Sequence, residues 1–274
     1  MNYSRFKDFG KNDYTTDKHI NLGTYIPSVT FRNVTEDDKI RAILKDSYPV
    51  FIQKLGNFIK DPKFQSAIKS LAAYNKITFK NIEPSITDLL PTQNEIDMTK
   101  SLSFPLKDPE TARKYLRGGV VSVAGNRIVT SNNGRYIIDG HHRWSQLYVI
   151  NSNCYISAVD LSDIKDPIEA LKNTQLGIGG DIGSIPTAVV KGTNLITCSK
   201  ETLIQYVKDT ITPEVIQVFS SFGKGSTASQ IGEYIWQNVS KMQTYNKPIP
   251  GAPSRSLMPQ TDMAPEWKNF SPNM

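Results

Sequence analysis

The spacing of apolar residues predicts helices on both sides of the middle part of the chain. Residues 1–34 are polar and irregular, and we expect an arm or a docked tail there. Apolar residues then recur at helical spacing over residues 35–76, beginning at Thr-Glu-Asp-Asp, which is typical of a helix cap followed by acidic residues in the first turn. Helical spacing returns in three stretches over residues 199–245, which predicts a C-terminal helical region.

The middle of the chain, residues 77–165, shows strand patterns separated by turns. Residues 77–90 predict a short strand, residues 91–102 a turn, and residues 108–116 a helix with proline in its first turn. An Asn-Gly pair at residues 133–134 is typical of a hairpin. Further strands are predicted at residues 120–123, 128–130, 136–138 and 154–161. Together these patterns predict an α+β fold with helical extensions on both sides.

Three other stretches are rich in residues that interrupt regular structure. Residues 166–198 contain Gly-Ile-Gly-Gly-Asp-Ile-Gly, which lacks the spacing of a P-loop, and we expect a flexible loop or an active-site lid. Residues 222–227 predict a helix end and a new cap at Ser226 or Thr227 rather than a phosphate site. Residues 246–274 are rich in proline, and we expect an extended tail anchored by Trp267.

The candidate site is the sequence Tyr-Ile-Ile-Asp-Gly-His-His-Arg-Trp at residues 136–144. An apolar strand stops at Asp139, turns on Gly140 and continues as a helix whose first turn presents unpaired N–H groups to an anion. Arg143 can bind a phosphate through its guanidinium, and His141 and His142 titrate near neutrality. The plain alternative is an ordinary turn with solvated first-turn residues, but five such residues in succession favour a phosphate-handling site.

Composition narrows the class of protein. The chain has 274 residues, a net charge of +6 and a pI near 9.1, which permits a polyanionic partner without requiring one. It has no apolar run of membrane-spanning length and no signal peptide, so we expect a soluble cytoplasmic protein. Cys154 and Cys198 occur in unlike contexts, and we expect two buried apolar residues rather than a disulfide or a zinc site.

Residues 77–161 are similar in order to the ParB/sulfiredoxin superfamily, whose members bind nucleotides on an α+β core. The similarity rests on a polar turn, a helix, a strand pair and then Ile-Asp-Gly-His-His-Arg at residues 138–143. Sulfiredoxin has its nucleophilic cysteine at the place of His141, so its chemistry is not available here. Partition-type ParB proteins, which use CTP, have Gly-Glu-Arg-Arg there. The Asp-Gly-His-His-Arg form resembles most the free serine kinase branch, and also phage and bacterial proteins described as ParB-like nucleases.

This resemblance implies a kinase-like phosphotransferase that uses ATP, or a related nucleotide, with Mg²⁺. The phosphates would bind to the N–H groups of residues 140–143. Lys100 and Arg143 would neutralise their charge, and Gln93 and Ser101 are further candidates for contact with the nucleotide. His141 or His142 would stabilise developing charge or shuttle a proton, and Asp139 would hold Mg²⁺ or orient a histidine. Glu95 lies where the kinase branch has a catalytic glutamate, and it is the candidate general base.

Several alternatives stay open at this point. The hydroxyl acceptor can be a small metabolite, a nucleotide or a modified base in DNA. The same motif can instead hold backbone phosphate in a DNA-binding protein or a nuclease, or belong to a nucleotide sensor without turnover. A zinc site is disfavoured because the adjacent His141 and His142 diverge and the third histidine, His19, is distant in sequence. A serine triad is disfavoured because the nucleophile elbow is missing.

Overall fold

A mixed β-sheet surrounded by helices forms the centre of the computed structural model, which describes residues 34–74, 79–161, 163–188, 192–247 and 249–264. Five of the described strands form this sheet: β1 (Phe79–Ile82), β2 (Leu90–Pro91), β4 (Ile128–Ser131), β5 (Tyr136–Asp139) and β7 (Ala158–Leu161). Their order in the sheet is β1-β7-β4-β5-β2. A second, smaller pair consists of β3 (Val120–Val121) and β6 (Tyr155–Ile156). The α+β class predicted from the sequence is confirmed.

The strands β4 and β5 form the predicted hairpin, and they position the candidate site. They pair antiparallel, while β7 and β2 pair parallel to their outer sides. Asn132, Asn133 and Gly134 all have positive φ angles, which the short Asn and Gly side chains tolerate. The buried carboxylate of Asp160 on β7 fixes this turn, because it accepts hydrogen bonds from the N–H groups of Asn133 (3.1 Å) and Gly134 (2.9 Å) and from Thr130 Oγ1 (2.8 Å).

The helices before the sheet confirm the prediction for residues 35–76. They are α1 (Glu36–Ile43), α2 (Tyr48–Lys60) and α3 (Pro62–Tyr74). Their apolar faces bury Ile40, Phe51 and Leu55 in a cluster that also includes Leu176. The predicted arm at residues 1–34, with His19, lies outside the described residues except for Val34.

Residues 99–102 are part of a helix, so the prediction of a continued turn there is wrong. The helix α4 (Met98–Lys107) begins where Asp97 accepts a hydrogen bond from the N–H of Lys100 at 3.0 Å. It is followed by α5 (Pro109–Arg117), whose bounds agree with the prediction. Pro105 lies inside α4, and this proline made the helix hard to recognise in the sequence. The helix α6 (His141–Ile150) lies beside α4 and begins at the candidate site.

The predicted glycine-rich loop is also wrong for most of its length. The helix α7 (Pro167–Ile182) extends through the glycines and is buried over residues 170–180. Gly179 faces α2, where a Cβ atom would come within 2.8 Å of Ile59 Cδ1, so a glycine permits the close packing. The helix ends at Gly183, which has a left-handed backbone conformation. Tertiary packing therefore overrides the low helix propensity of glycine in this segment.

The C-terminal helices agree closely with the prediction. They are α8 (Lys200–Thr210), α9 (Pro213–Ser221) and α10 (Ala228–Met242), and their apolar residues join the main core below the sheet. Thr227 caps α10, since its hydroxyl accepts from the N–H of Gln230 at 3.3 Å. Both cysteines are buried and free, as expected. Within the described ranges, no helix has both the length and the apolar character needed to cross a bilayer.

The tail is not simply extended, in contrast to the prediction for residues 246–274. It forms short 3-10 turns at Arg255–Leu257 and Thr261–Met263, and it buries Met258 and Ala264. Residues 265–274, with the predicted anchor Trp267, lie outside the described residues. The described part of the tail packs against the candidate site, which gives it a role that the sequence did not indicate.

Candidate functional site

The turn between β5 and α6 requires glycine at residue 140. Gly140 has φ 93°, and a Cβ atom on it would lie 2.6 Å from Ile128 Cγ2 and 3.1 Å from Arg143 Nε. Because Gly140 precedes α6 without a side chain, the first-turn N–H groups of this ten-residue helix have no side-chain cap. The local sequence thus leaves a helix N-terminus open to an anionic ligand.

Two histidines on α6 hold the loop of residues 92–97, which we call the upstream loop. The N–H of Thr92 donates to Nε2 of the buried His141 at 3.1 Å. The N–H of Asp97 donates to Nε2 of His142 at 3.3 Å. Each ring accepts through Nε2, so the proton of each neutral imidazole is on Nδ1. The histidine pair therefore fixes the upstream loop beside the turn at Gly140.

Both imidazoles remain neutral over the physiological range. Burial, together with the nearby charges of Arg255 and Lys100, lowers the pKa of His142 to about 3, although the Asp97 carboxylate acts in the opposite direction. Burial, together with His142, Arg143 and Arg255, also holds the pKa of His141 well below its usual range. These rings can accept or donate hydrogen bonds as neutral groups, but they do not carry a positive charge near pH 7.

Arg143 is held between two carboxylates. Its Nη2 lies 3.5 Å from Asp139 Oδ2, and its Nη1 lies 3.2 Å from Asp262 Oδ1 in the tail. The hydroxyl of Thr261 also donates to Asp139. The strand end, the helix and the tail are thus joined at one polar cluster, although Arg143 and Asp262 are 119 residues apart in sequence.

A cavity of about 480 Å³, which we call the corner cavity, opens at this cluster. This volume is within the range of small-ligand sites. Three cationic side chains face it, those of Lys100, Arg143 and Arg255, against two carboxylates. Its lining comprises Gln93, Lys100, Asp139, Gly140, His141, His142, Arg143, Gln146, Ala188, Arg255, Met258, Pro259, Gln260, Asp262 and Met263.

Arg255 distinguishes this cavity from an ordinary polar crevice. Only 5% of its surface is exposed. Among the described residues, no carboxylate lies within ion-pair distance of its guanidinium. In addition, Arg143 Nε and Gln260 Nε2 are buried without a hydrogen-bond partner. Buried donors without partners are costly, about 1–3 kcal/mol each. An anion with several oxygen atoms would pair with the cationic side chains that line the cavity, those of Lys100, Arg143 and Arg255, so the donor set fits a phosphate group.

Most of the residues predicted for the site come together at the corner cavity. Gln93, Lys100 and residues 139–143 all line it. Glu95 is half-buried on the upstream loop and is not among the lining residues. Ser101 is fully buried, where its hydroxyl donates to the Asp97 carbonyl (2.8 Å) and lies 2.7 Å from Ser145 Oγ. The structure therefore places Ser101 between α4 and α6 rather than in the cavity.

Sequence reasoning missed the part of the site that the tail supplies. Arg255, Gln260 and Asp262 line the cavity, and so does Gln146 on α6, whose amide donates to the Lys100 carbonyl at 3.0 Å. The tail residues lie in a proline-rich stretch without periodicity, so no local pattern indicates that they belong to the site. Of these four residues, only Gln146 could have been predicted from the sequence, because it lies one helical turn after His142 on the same face of the helix.

The carboxylates and histidines do not form a preassembled metal centre in the part of the chain that the structure describes, where no group of three potential ligands is found. Comparison with known proteins gives no match: no family model, no curated protein and no solved structure is significantly similar to this chain.

Proposed function

We propose that this chain is a nucleotide-dependent phosphotransferase that binds the phosphates of ATP, or of a related nucleotide, in the corner cavity. It would transfer a phosphoryl group to a hydroxyl acceptor, either a small metabolite or a nucleotide. One observation carries the proposal: Arg255 is buried at the cavity without a carboxylate partner among the described residues. A buried guanidinium without a counter-ion is unfavourable, and an anionic ligand would offset that cost.

The donors around the cavity suit a phosphate chain. The first-turn N–H groups of α6 and the side chains of Lys100, Arg143 and Arg255 can neutralise phosphate oxygens. The neutral His141 and His142 can donate through Nδ1 to charge that develops on the transferred group. With a pKa of about 3, His142 is poorly suited to act as a general acid or base near pH 7, so we favour the role of a neutral donor for it.

The ParB/sulfiredoxin-like core is part of the same proposal. The order of the described elements supports it: β2 is followed by the upstream loop, α4 and α5, the β4–β5 hairpin and then α6 at the Asp-Gly-His-His-Arg motif. In that arrangement the polar turn and the motif meet at one corner. This is the meeting that the resemblance implies for residues 77–161.

Two carboxylates are candidates for different roles in the transfer. Asp139 lines the cavity, and it would hold the Mg²⁺ that accompanies a nucleotide, which supplies charge neutralisation at the phosphates. One carboxylate suffices for this because Mg²⁺ takes its other ligands from phosphate and water. Glu95 is the candidate general base, and from the upstream loop it would accept the hydroxyl proton of an acceptor bound at the rim of the cavity.

Contact with duplex DNA, as a binding protein or a nuclease, is less well supported. Backbone phosphates are bound by exposed cations. Arg255, in the tail, is 5% exposed, and the Arg143 side chain, which contacts the tail, is 13% exposed. A free nucleotide can enter such a cavity more readily than a duplex can.

Calorimetric titration of ATP with Mg²⁺ tests the proposal. Arg255→Met should weaken binding about 10- to 100-fold, the loss expected when a charged hydrogen-bonding group is removed. The ATP affinity of Arg255→Lys should lie between those of the wild type and Arg255→Met, because lysine keeps the positive charge but cannot form the paired hydrogen bonds of a guanidinium. Arg113→Met is the matched control, since Arg113 forms an exposed ion pair with Glu110 on α5. Binding that is unchanged by Arg255→Met, or absent from the wild type, contradicts the proposal.

Measurement of turnover distinguishes a kinase from a protein that only binds the nucleotide. ADP release is measured with panels of small hydroxyl compounds and of nucleosides. Glu95→Gln should abolish turnover and leave ATP affinity within about twofold, because a base acts on the acceptor and not on the bound phosphates. ATP binding without turnover on any acceptor would indicate a nucleotide sensor. Binding of duplex DNA that weakens steeply with salt would favour the nucleic-acid alternative.

A further inference from the structure

The segment from Arg255 to Met263, which we call the tail strap, forms one wall of the corner cavity. Its first part is anchored to the body of the protein. The N–H of Ala188 donates to the Ser256 carbonyl at 3.0 Å, and the hydroxyl of Tyr48 on α2 donates to the Leu257 carbonyl at 3.2 Å. Met258 is buried, and so is Ala264 directly after the strap. Both ends of the strap are therefore fixed by backbone hydrogen bonds or by apolar burial.

Between these anchors Pro259 and Thr261 are also buried, and the hydroxyl of Thr261 donates to Asp139, so only Asp262 and Met263 are exposed. Asp262 pairs with Arg143 at 3.2 Å, although 62% of the Asp262 side chain is exposed. Met263 is 55% exposed. Ion pairs with an exposed partner contribute little to stability. The ion pair between Asp262 and Arg143 thus contributes little to holding this wall in place, and it lies directly at the cavity.

The carboxylate of Asp262 takes the place on Arg143 that a ligand anion would take. A carboxylate and a phosphate group accept from the same guanidinium donors. Arg143 Nε and Gln260 Nε2 stay buried and unpaired while Asp262 is in place, so this carboxylate does not satisfy the donors of the cavity. A phosphate group has more oxygen atoms and more negative charge, and it can satisfy donors that Asp262 leaves unpaired.

From this geometry we infer that Asp262 is a resident carboxylate that blocks the Arg143 subsite until a ligand phosphate displaces it. The residue then determines specificity, because only an anion with enough charge and oxygen atoms competes with it successfully. Asp262 and Met263, the exposed end of the strap, move away from Arg143 when the ligand binds, while Arg255 and the buried residues of the strap stay in place. This inference rests on the proposed function, since it deepens the role of the same anion site.

Binding of inorganic pyrophosphate in the presence of EDTA is the direct test, because it removes any contribution of Mg²⁺. Asp262→Asn should bind pyrophosphate about three- to tenfold more tightly than the wild type, because the internal competitor of modest strength is lost. Glu233→Gln is the matched control: it also removes one negative charge and one exposed ion pair, with Lys200, on α8 and α10. It should change pyrophosphate affinity by less than about twofold.

Movement of the strap is tested separately with Met263→Cys, labelled with an environment-sensitive thiol dye. Cys154 and Cys198 are buried, so the dye is directed to the exposed position 263. Its fluorescence should change on addition of pyrophosphate with the midpoint of the binding curve. A tighter Asp262→Asn variant together with this response supports the inference.

Other outcomes overturn it in distinguishable ways. Pyrophosphate binding by the wild type that Asp262→Asn leaves unchanged or weakens shows that Asp262 is not a competitor, and the proposed function survives. A dye that does not respond during saturable binding shows that the strap stays in place. If neither pyrophosphate nor ATP binds to any variant, the proposed function fails and the inference with it.

Discussion

Acidification should destabilise this protein through its two neutral histidines. In the unfolded chain a histidine has an ordinary pKa of 6.5, whereas burial and neighbouring cations lower the pKa of His142 in the folded protein to about 3. The folded-state pKa is the lower one, so the unfolded state takes up more protons between these values and stability falls as the pH falls. The contribution is fully present above pH 6.5 and is lost progressively toward pH 3.

The size of the effect follows from the interval between the two values. A pH of 5 lies about 1.5 units below the pKa of a histidine in the unfolded chain. Each unit corresponds to about 1.4 kcal/mol, so His142 accounts for about 2 kcal/mol of lost stability at pH 5. His141, whose pKa is also held well below its usual range, adds to this loss in the same direction. A loss of about 2 kcal/mol from His142 alone is already a substantial fraction of the 5–15 kcal/mol typical of a folded domain.

Urea unfolding at pH 7.5, 6.5, 5.5 and 5.0 measures this loss. His142→Gln keeps a side-chain acceptor for the N–H of Asp97 but does not titrate. Its free energy of unfolding should therefore depend less steeply on pH than that of the wild type, by up to about 1.4 kcal/mol per pH unit near pH 5. Carboxylates contribute equally to both proteins and cancel in the difference.

Proton NMR checks the mechanism independently. In a His19→Gln background the remaining imidazole signals belong to His141 and His142, and neither should titrate between pH 8 and 5. A His142 signal that titrates near pH 6.5, or a His142→Gln variant with the same pH slope as the wild type, would show that these rings are not held neutral by the fold.

Three further predictions concern the framework of the site. Burial raises the pKa of both Cys154 and Cys198 to about 11, so about one thiol in a thousand is ionised at pH 8. Neither cysteine should therefore react with Ellman's reagent before the protein unfolds. Rapid modification of the native protein would contradict this. Asp160→Ala should lower the free energy of unfolding by about 3 kcal/mol or more, because it removes three hydrogen bonds to a buried carboxylate, and a loss below about 1 kcal/mol in urea would be inconsistent. Gly140→Ala should lower the free energy of unfolding by about 1–3 kcal/mol more than Gly183→Ala does, and the thermal midpoint should fall accordingly. Both glycines have positive φ angles, but of the two only residue 140 lacks room for a Cβ atom. Equal effects of the two substitutions would rule out the steric argument.

The sequence predicts those parts of the structure that local signals determine. The turn at Asn132-Asn133-Gly134 and the helix that starts at His141 follow from residues within one or two turns of each other, and both are found. The same holds for α10, which begins at the Thr227 cap. At each of these places propensity, capping and periodicity agree.

The errors arise where tertiary packing overrides a local signal. Gly179 of α7 permits close contact with α2, and the helix is buried although glycine disfavours helices. Pro105 is accommodated inside α4. The tail strap reaches the site through contacts that span more than 110 residues, such as Arg143 with Asp262, and no local pattern encodes them. The motif at residues 139–143 could therefore be recognised from the sequence, but the tail residues that complete the cavity, such as Arg255 and Asp262, could not.

The long sequence separation of the strap contacts also predicts the order in which parts of the molecule fold. Closing a segment of about 120 residues between Arg143 and Asp262 costs more chain entropy than forming the β4–β5 hairpin, which closes over a few residues. The sheet and the buried Trp144 therefore reach their native environment before the strap docks. On refolding, the native tryptophan signal should return first, and the ability to bind pyrophosphate should return in a later phase.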